Sequence, residues 1–388
     1  MRCPMSDVYV SDCESYDVLL MKRVIQDTVD ELGGWDKYVR SGQRVLLKIN
    51  LIGPKKPEHA ATTNPEFVRA VGQLLKEHGA DVYVGDSSGG AIAGMAPTKK
   101  AFVTSGIQKI ADEEGFTILN FDELGPVLIE DKTNYTNDLY ITKAFSEVDV
   151  VINLPKMKTH SMGIYTGAVK NLFGAVAGLR KAKYHKESPD PLQFGEVLAD
   201  IHMAIDNMPL HLMDGIVAMQ GEGPTAGDPY AAGKILISED PLALDRVCIE
   251  MMGIEAERVS ILKASIKRGI GTFDKSKINV HGNADRLEGF TLPRRYSQSK
   301  VVDYSKVKGV IDFFKAVPVV NRKKCVNCNS CVDGCPVKAI DRDTKFINYD
   351  LCIDCLCCHE LCMIEAIDLK SDKKLVNVVR AVSNMFYK

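Results

Sequence analysis

The sequence predicts an α/β domain, a mostly parallel sheet covered by helices, followed by a small α+β domain organised around cysteine-bound metal. Three observations lead there. Apolar, β-branched runs recur between residues 44 and 238; helical patterns with clear start and stop signals lie between them; and eight cysteines fall in two matching runs between residues 325 and 362. At 388 residues, 45% hydrophobic and 26% charged, the chain has room for two or three domains with a sizeable core.

The strands are read at 44–51 (RVLLKINL), 81–86 (DVYVGD), 117–121, 148–154 (VDVVINL), 211–219 and 234–238 (KILIS). In NPEFVRAVGQLLKEHGA, Asn64 is placed to cap a helix, Pro65 to start it and Gly79 to stop it, and PLALDRVCIEMMG at 241–253 repeats the Pro-start, Gly-stop design. Near-continuous apolar strands joined by helices imply a sheet buried on both faces. Ligands of such sheets sit beyond the carboxyl ends of the strands.

The residues following each strand are therefore the site candidates. They are Lys48 and Asn50, then Asp86-Ser87-Ser88-Gly89-Gly90, then PKMKTHSMGIYTGAVKNLFGAVAG at 155–178, then the Gly-rich 221–227. The segment LPKMKTH sets Lys156, Lys158 and His160 within five residues at a buried strand's end, ahead of a helix start suited to an anion. We expect an anionic small molecule here, bound by Lys48, Asn50, Asp86, Lys156, Lys170 and Asn171, with Thr159 and Thr166 nearby. Lys158 and His160 are the catalytic candidates, and His160 is the proton donor because its ordinary pKa lies near neutrality. Plainer readings stand beside these. Asp86 to Gly90 is also turn chemistry, loop lysines are commonly only solvated, and 221–227 lacks both Walker and dinucleotide spacing.

Charge is uneven in this chain of net −2. Residues 294–324 hold nine Lys/Arg against two Asp/Glu, a net of +7, whereas 325–388 carries −1, which leaves −8 for the first 293 residues. The boundaries that follow are an α/β domain at 1–293, a basic connector at 294–320, a metal-binding domain at 321–372 and a C-terminal helix at 373–388. The connector reads as a solvated linker or as a docking strip for an acidic redox partner. No motif or aromatic interleaving supports nucleic-acid binding.

The cysteine runs are CVNCNSCVDGCPVKAI and, twenty-seven positions on, CIDCLCCHELCMIEAI. Superposed, Cys325, Cys328, Cys331 and Cys335 fall on Cys352, Cys355, Cys358 and Cys362, and Cys357 falls on Ser330. Cys357 is thus the spare. A duplicated C-x2-C-x2-C-x3-C is the bacterial ferredoxin pattern, in which the fourth cysteine of each run ligates the other cluster. The expected cofactors are two [4Fe-4S] clusters, one on Cys325, Cys328, Cys331 and Cys362, the other on Cys352, Cys355, Cys358 and Cys335. Zinc knuckles use paired C-x2-C units rather than triple runs, and disulfides would imply secretion. His359 has Val332 as its repeat equivalent and reads as a surface residue.

The order KIN, TNP, GDSSGG, LPKMKTHSMGIYTGAVKNLFG, GEGPTAG and DPLALD, from about residue 8 to 282, resembles the prokaryotic family called domain of unknown function 362. Members of that family often carry a C-terminal double-cluster ferredoxin domain, so the resemblance implies a ferredoxin-like electron-transfer protein without supplying a substrate. Met363 departs from the proline usual after the fourth cysteine, which softens a turn without removing a ligand. The N-terminal residues show no apolar export signal and no run reaches membrane-span length, so a cytoplasmic protein is expected. The leading expectation is a ferredoxin-coupled oxidoreductase with a redox partner protein, any further organic or metal cofactor left open. The alternative is a non-catalytic electron-transfer adapter, or a metallocofactor maturation protein docking a partner enzyme.

Overall fold

One large mixed sheet organises the chain. The computed structural model describes residues 5–89, 96–131, 135–178, 180–294, 296 and 317–370. Its strands are β1 (Ser6–Asp12), β2 (Arg44–Ile49), β3 (Asp81–Asp86), β4 (Thr117–Asn120), β5 (Pro126–Leu128), β6 (Tyr140–Thr142), β7 (Val150–Leu154), β8 (Lys156–His160), β9 (Ile164–Thr166), β10 (Leu210–Gln220), β11 (Asp228–Ser238), β12 (Ile278–Gly282), β13 (Val317–Val320) and β14 (Ile367–Lys370). The sheet runs β12-β1-β11-β10-β7-β2-β3-β4, with β8 also on β10 and β9 on β8.

From β10 to β4 every pairing is parallel, as the apolar runs predict. The other flank is different: β11 is antiparallel to both β10 and β1. The short 221–227 connection explains the β10–β11 pairing, since a parallel return needs a crossover of a dozen residues or more. Side chains alternate along the buried strands. Val45, Leu47 and Ile49 of β2 join one apolar cluster and Leu46 joins the cluster on the opposite face. Helix Pro65–Glu77 begins as predicted, with the Asn64 side chain accepting from the Glu66 amide, and it buries Phe67, Val68, Val71 and Leu75. Gly79 follows its end at φ +87°, a conformation costly for any residue with a Cβ.

One segment corrects the sequence reading. Residues 156–160, taken there as a loop, form strand β8. The eleven-residue β10 outruns β7, which pairs only with Leu210 and His211, and β8 takes the overhang through Asp214↔Lys156 and Met219↔Lys158. Pro155 separates the two strands, and its carbonyl accepts the Asp214 amide at 2.9 Å.

The second domain keeps the internal repeat in its backbone. Helices Ser330–Asp333 and Cys357–Glu360 correspond, and so do left-handed residues Asn327 and Asp354, Asn329 and Leu356, Lys338 and Glu365. β13 and β14 pair antiparallel, which brings 317–320, assigned from sequence to the connector, into this domain's sheet. Connector residues 297–316 and the expected C-terminal helix at 373–388 lie outside the described residues. Among the described residues no helix is long and apolar enough to cross a membrane.

Candidate functional site

The cysteines of the two runs crowd together. The Cys331 thiol is pushed up to about 11 by burial and by its neighbours Cys362, Cys328 and Cys325. Cys358 is raised by burial, then by Cys355, Cys352, Cys331 and Cys335. Each of these thiols thus neighbours the fourth cysteine of the other run, and Cys358 neighbours Cys331 as well. Amides donate to those crossing thiols at equivalent positions, Ala339 to Cys335 Sγ at 3.2 Å and Ala366 to Cys362 Sγ at 3.0 Å. Among the described residues no three Cys, His or acidic side chains converge as a single metal ion would require. Triple-cysteine runs of this spacing are the pattern of iron-sulfur cubes, whereas zinc sites use paired C-x2-C units.

The lysines separate into structural and open groups. Lys48, fully buried, spends its three donors on Asp86 Oδ1 (3.0 Å), Ile49 O (2.8 Å) and Asn171 O (3.1 Å). Asp86 in turn accepts from the Leu51 and Ser87 amides. Lys156 is paired with Asp214 at 2.7 Å and also donates to Tyr16 Oη at 2.9 Å, away from the other candidates. Burial lowers both lysines and their carboxylate partners offset it. Lys158 donates to Asn50 Oδ1 and Ala61 O, both at 2.7 Å, and keeps one donor. It is held well below an ordinary lysine by burial first and by Lys170 second.

Asn50 and Asn171 belong to a chain of amides. Asn50 Nδ2 donates to Asn171 Oδ1 (2.9 Å), Asn171 Nδ2 to Asn153 Oδ1 (2.7 Å), and Asn153 Nδ2 to Ala168 O (3.0 Å). Aligned bonds of this kind in a dry interior hold Lys158 in one orientation.

His160 is fully buried, with Nδ1 accepting the Met162 and Gly163 amides at 3.1 Å. The proton is therefore on Nε2, which faces Glu360 Oε1 at 3.3 Å. Burial, then Lys170 and Lys158, lower its pKa well below 6.5, so the ring is neutral. Thr159 Oγ1 bonds the Met219 carbonyl at 3.4 Å and stays structural.

The open groups surround one cavity of ≈100 Å³ at the carboxyl ends of the parallel strands. Asn50 and Asp86 line it from β2 and β3, Lys158 and Thr166 from β8 and β9, and Lys170, Lys181 and His185 from the segment beyond. The cysteine domain contributes Gly334, Cys357, Glu360 and Leu361 to its wall. Thr225 Oγ1 donating to Glu360 O at 3.1 Å, and Lys55 paired with Glu365 at 3.1 Å, hold that wall in place.

Sequence reasoning missed Lys181, His185 and Glu360. Lys181 bonds the Ser87 and Ser88 carbonyls and is lowered to about 8 by burial, partly offset by Asp122 and Asp86. His185, stacked on Phe194, is lowered to about 3 by burial and then by Lys170 and Lys181. Both sit in RKAKYHKE, which reads as a solvated basic helix. Glu360 is the repeat mate of Asp333, which merely pairs with Arg342 at the surface. His359, expected at the surface, is 6% exposed, because its helix docks on the α/β domain.

Residues 45–250 match the family described as domain of unknown function (DUF362), and residues 318–341 match the 4Fe-4S binding domain. A thylakoid-associated protein from Synechocystis sp. is 34% identical over 300 residues, 77% of this chain and 86% of the relative. The lactate racemase apoprotein from Thermoanaerobacterium thermosaccharolyticum has 13% identity and a TM-score of 0.40, over 65% of this chain and 57% of that one. A Thermotoga maritima protein has 10% identity and a TM-score of 0.38, over 63% of this chain and 61% of its own. This chain spans less than two thirds of either of those two structures.

Proposed function

The chain belongs to the DUF362 family and carries a 4Fe-4S electron-transfer domain, and on that premise we propose that electrons pass between this domain and a small anionic molecule in the strand-end cavity. One observation carries the reading: the cavity's wall includes Cys357 and Glu360, on either side of the cluster-ligand candidate Cys358. A molecule bound there lies against the segment that holds iron.

The ligand sets are Cys325, Cys328, Cys331 and Cys362 for one cluster and Cys352, Cys355, Cys358 and Cys335 for the second. When bound, these clusters supply one-electron chemistry. The α/β domain supplies position and charge. Lys170 and the remaining Lys158 donor hold the anion, Lys181 fixes the Ser87–Ser88 turn, and the Lys48–Asp86 pair and the asparagine chain keep the strand ends rigid. His160 Nε2 lies 3.3 Å from Glu360 Oε1 without a hydrogen bond to it, and His160 does not line the cavity. The protein redox partner meets the outer face, where Cys328 is exposed and Val326 is 66% exposed.

The test is anaerobic purification of the full chain, mass spectrometry of any small molecule that accompanies it, and single-turnover mixing of reduced protein with that molecule. Reoxidation of the clusters, followed by their visible absorbance and slowed in Lys170→Met, is expected. A protein that carries no such molecule but binds a second protein stoichiometrically would favour the adapter reading.

A further inference from the structure

Several polar groups around the cavity have capacity that nothing nearby takes up. Thr166 is 2% exposed and His185 7% exposed, and both line the cavity. Thr166 Oγ1 and His185 Nδ1 have no hydrogen-bond partner among the described residues. Lys170, on the same wall, likewise has no ion pair or hydrogen bond among them. A buried polar group without a partner costs about 1–3 kcal/mol, so native folds keep few of them and each needs a reason. Here they share one cavity.

Charge narrows the occupant. Lys48 is spent on Asp86 and two carbonyls and Lys181 on the Ser87 and Ser88 carbonyls, which leaves Lys170 and one Lys158 donor open on this wall. One carboxylate takes up those open donors. The Thr166 hydroxyl both donates and accepts, as a neutral imidazole does, so their complement is a hydroxyl or comparable group rather than a second carboxylate. Phe173, Leu361 and Pro224 supply apolar wall, and the small volume limits the rest of the molecule.

We propose that the cavity binds a small organic monocarboxylate carrying one further hydrogen-bonding group, with the carboxylate on Lys170 and the second group on Thr166 and His185. This rests on the cavity being the ligand site of the proposed function and adds the ligand's class.

Calorimetric titration of anaerobically prepared full chain with glycolate, acetate and oxalate at constant ionic strength tests it. Glycolate is expected to bind saturably at one site, acetate about fivefold more weakly for the loss of one hydrogen bond of roughly 1 kcal/mol, and oxalate at least about tenfold more weakly than glycolate. Lys170→Met should weaken glycolate by about tenfold or more, with partial rescue by Lys170→Arg. Thr166→Val should reduce the preference for glycolate over acetate. Circular dichroism reports folding of the α/β domain in each variant and cluster absorbance that of the second domain, and if Lys170→Met fails to fold, the wild-type ranking and Thr166→Val decide. Oxalate binding as tightly as glycolate, no saturable heat with any probe, or glycolate binding unmoved in a folded Lys170→Met would overturn the assignment. A different co-purifying molecule that reoxidises the clusters would leave the proposed function standing and remove only this ligand class.

Discussion

Replacing Gly174 by alanine drives a methyl group into the Lys48–Asp86 pair. Gly174 lies in the 3₁₀ turn Leu172–Ala175, and an added Cβ would stand 2.0 Å from Asp86 Oδ1 and 2.6 Å from Lys48 Nζ. Neither partner can retreat to water. Both are buried, Asp86 is fixed by the Leu51 and Ser87 amides at 2.7 Å, and Lys48 is fixed by the Ile49 and Asn171 carbonyls. One charge must leave the pair, and breaking a buried pair costs about 3–5 kcal/mol. At roughly 2 °C per kcal/mol for a domain of this size, Tm should fall by about 6–10 °C. Gly163→Ala is the control, because its nearest contact is the flexible tip of Ile261 at 3.2 Å, and it should cost about 1 kcal/mol or less. Thermal unfolding by circular dichroism, with cluster absorbance as the check on the second domain, measures both. If Gly174→Ala melts within about 2 °C of the parent, in the range expected for Gly163→Ala, Lys48–Asp86 is not a rigid clasp. Lys48 would then return to the list of groups free to meet a ligand.

Three further outcomes are expected. Cys335→Ala should damage the cluster held by Cys352, Cys355 and Cys358, whereas Cys357→Ala should leave both clusters; loss of an EPR signal in reduced Cys357→Ala would refute the repeat register. Lys156→Met strands Asp214 and should cost about 3–5 kcal/mol in denaturant titration without changing anion binding; the reverse pattern would place Lys156 in the ligand site. His185 is held at about 3 by burial, so below about 6.5 the unfolded chain binds a proton that the folded chain refuses, and stability falls as pH falls. Between pH 7 and 5.5 the stability of the parent should therefore fall relative to His185→Phe by about 1 kcal/mol, and parallel profiles would contradict a neutral buried ring.

Legibility followed the distance over which each interaction acts. The cysteine repeat could be read because its spacing is local and the repeat supplies its own alignment, with Cys357 opposite Ser330, and the backbone keeps that repeat. The parallel strands were equally plain, since burial on two faces writes itself into each strand as an apolar run. What the sequence concealed was the difference between Lys156 and Lys158. Both stand in one short strand, two residues apart and so on one face of it, yet Asp214, fifty-eight positions on, neutralises the first and no carboxylate reaches the second within ion-pair distance among the described residues. Glu360 was hidden for a stronger reason. It belongs to a domain that sequence treats as a separate electron carrier, and its acidity matches a surface residue in the other half of the repeat. Only docking turns it inward, to within 3.3 Å of His160 and onto the wall that Lys170 shares. That has a functional consequence. Charge placed on the ferredoxin helix and charge placed in the cavity meet across one small volume, in an interior where a unit charge is felt far more strongly than in water. A bound anion and an added electron would then repel, so ligand occupancy should shift the potential of the nearer cluster to lower values. Redox titration with and without glycolate reads that shift; equal potentials at saturating ligand would show that cavity and cluster do not communicate.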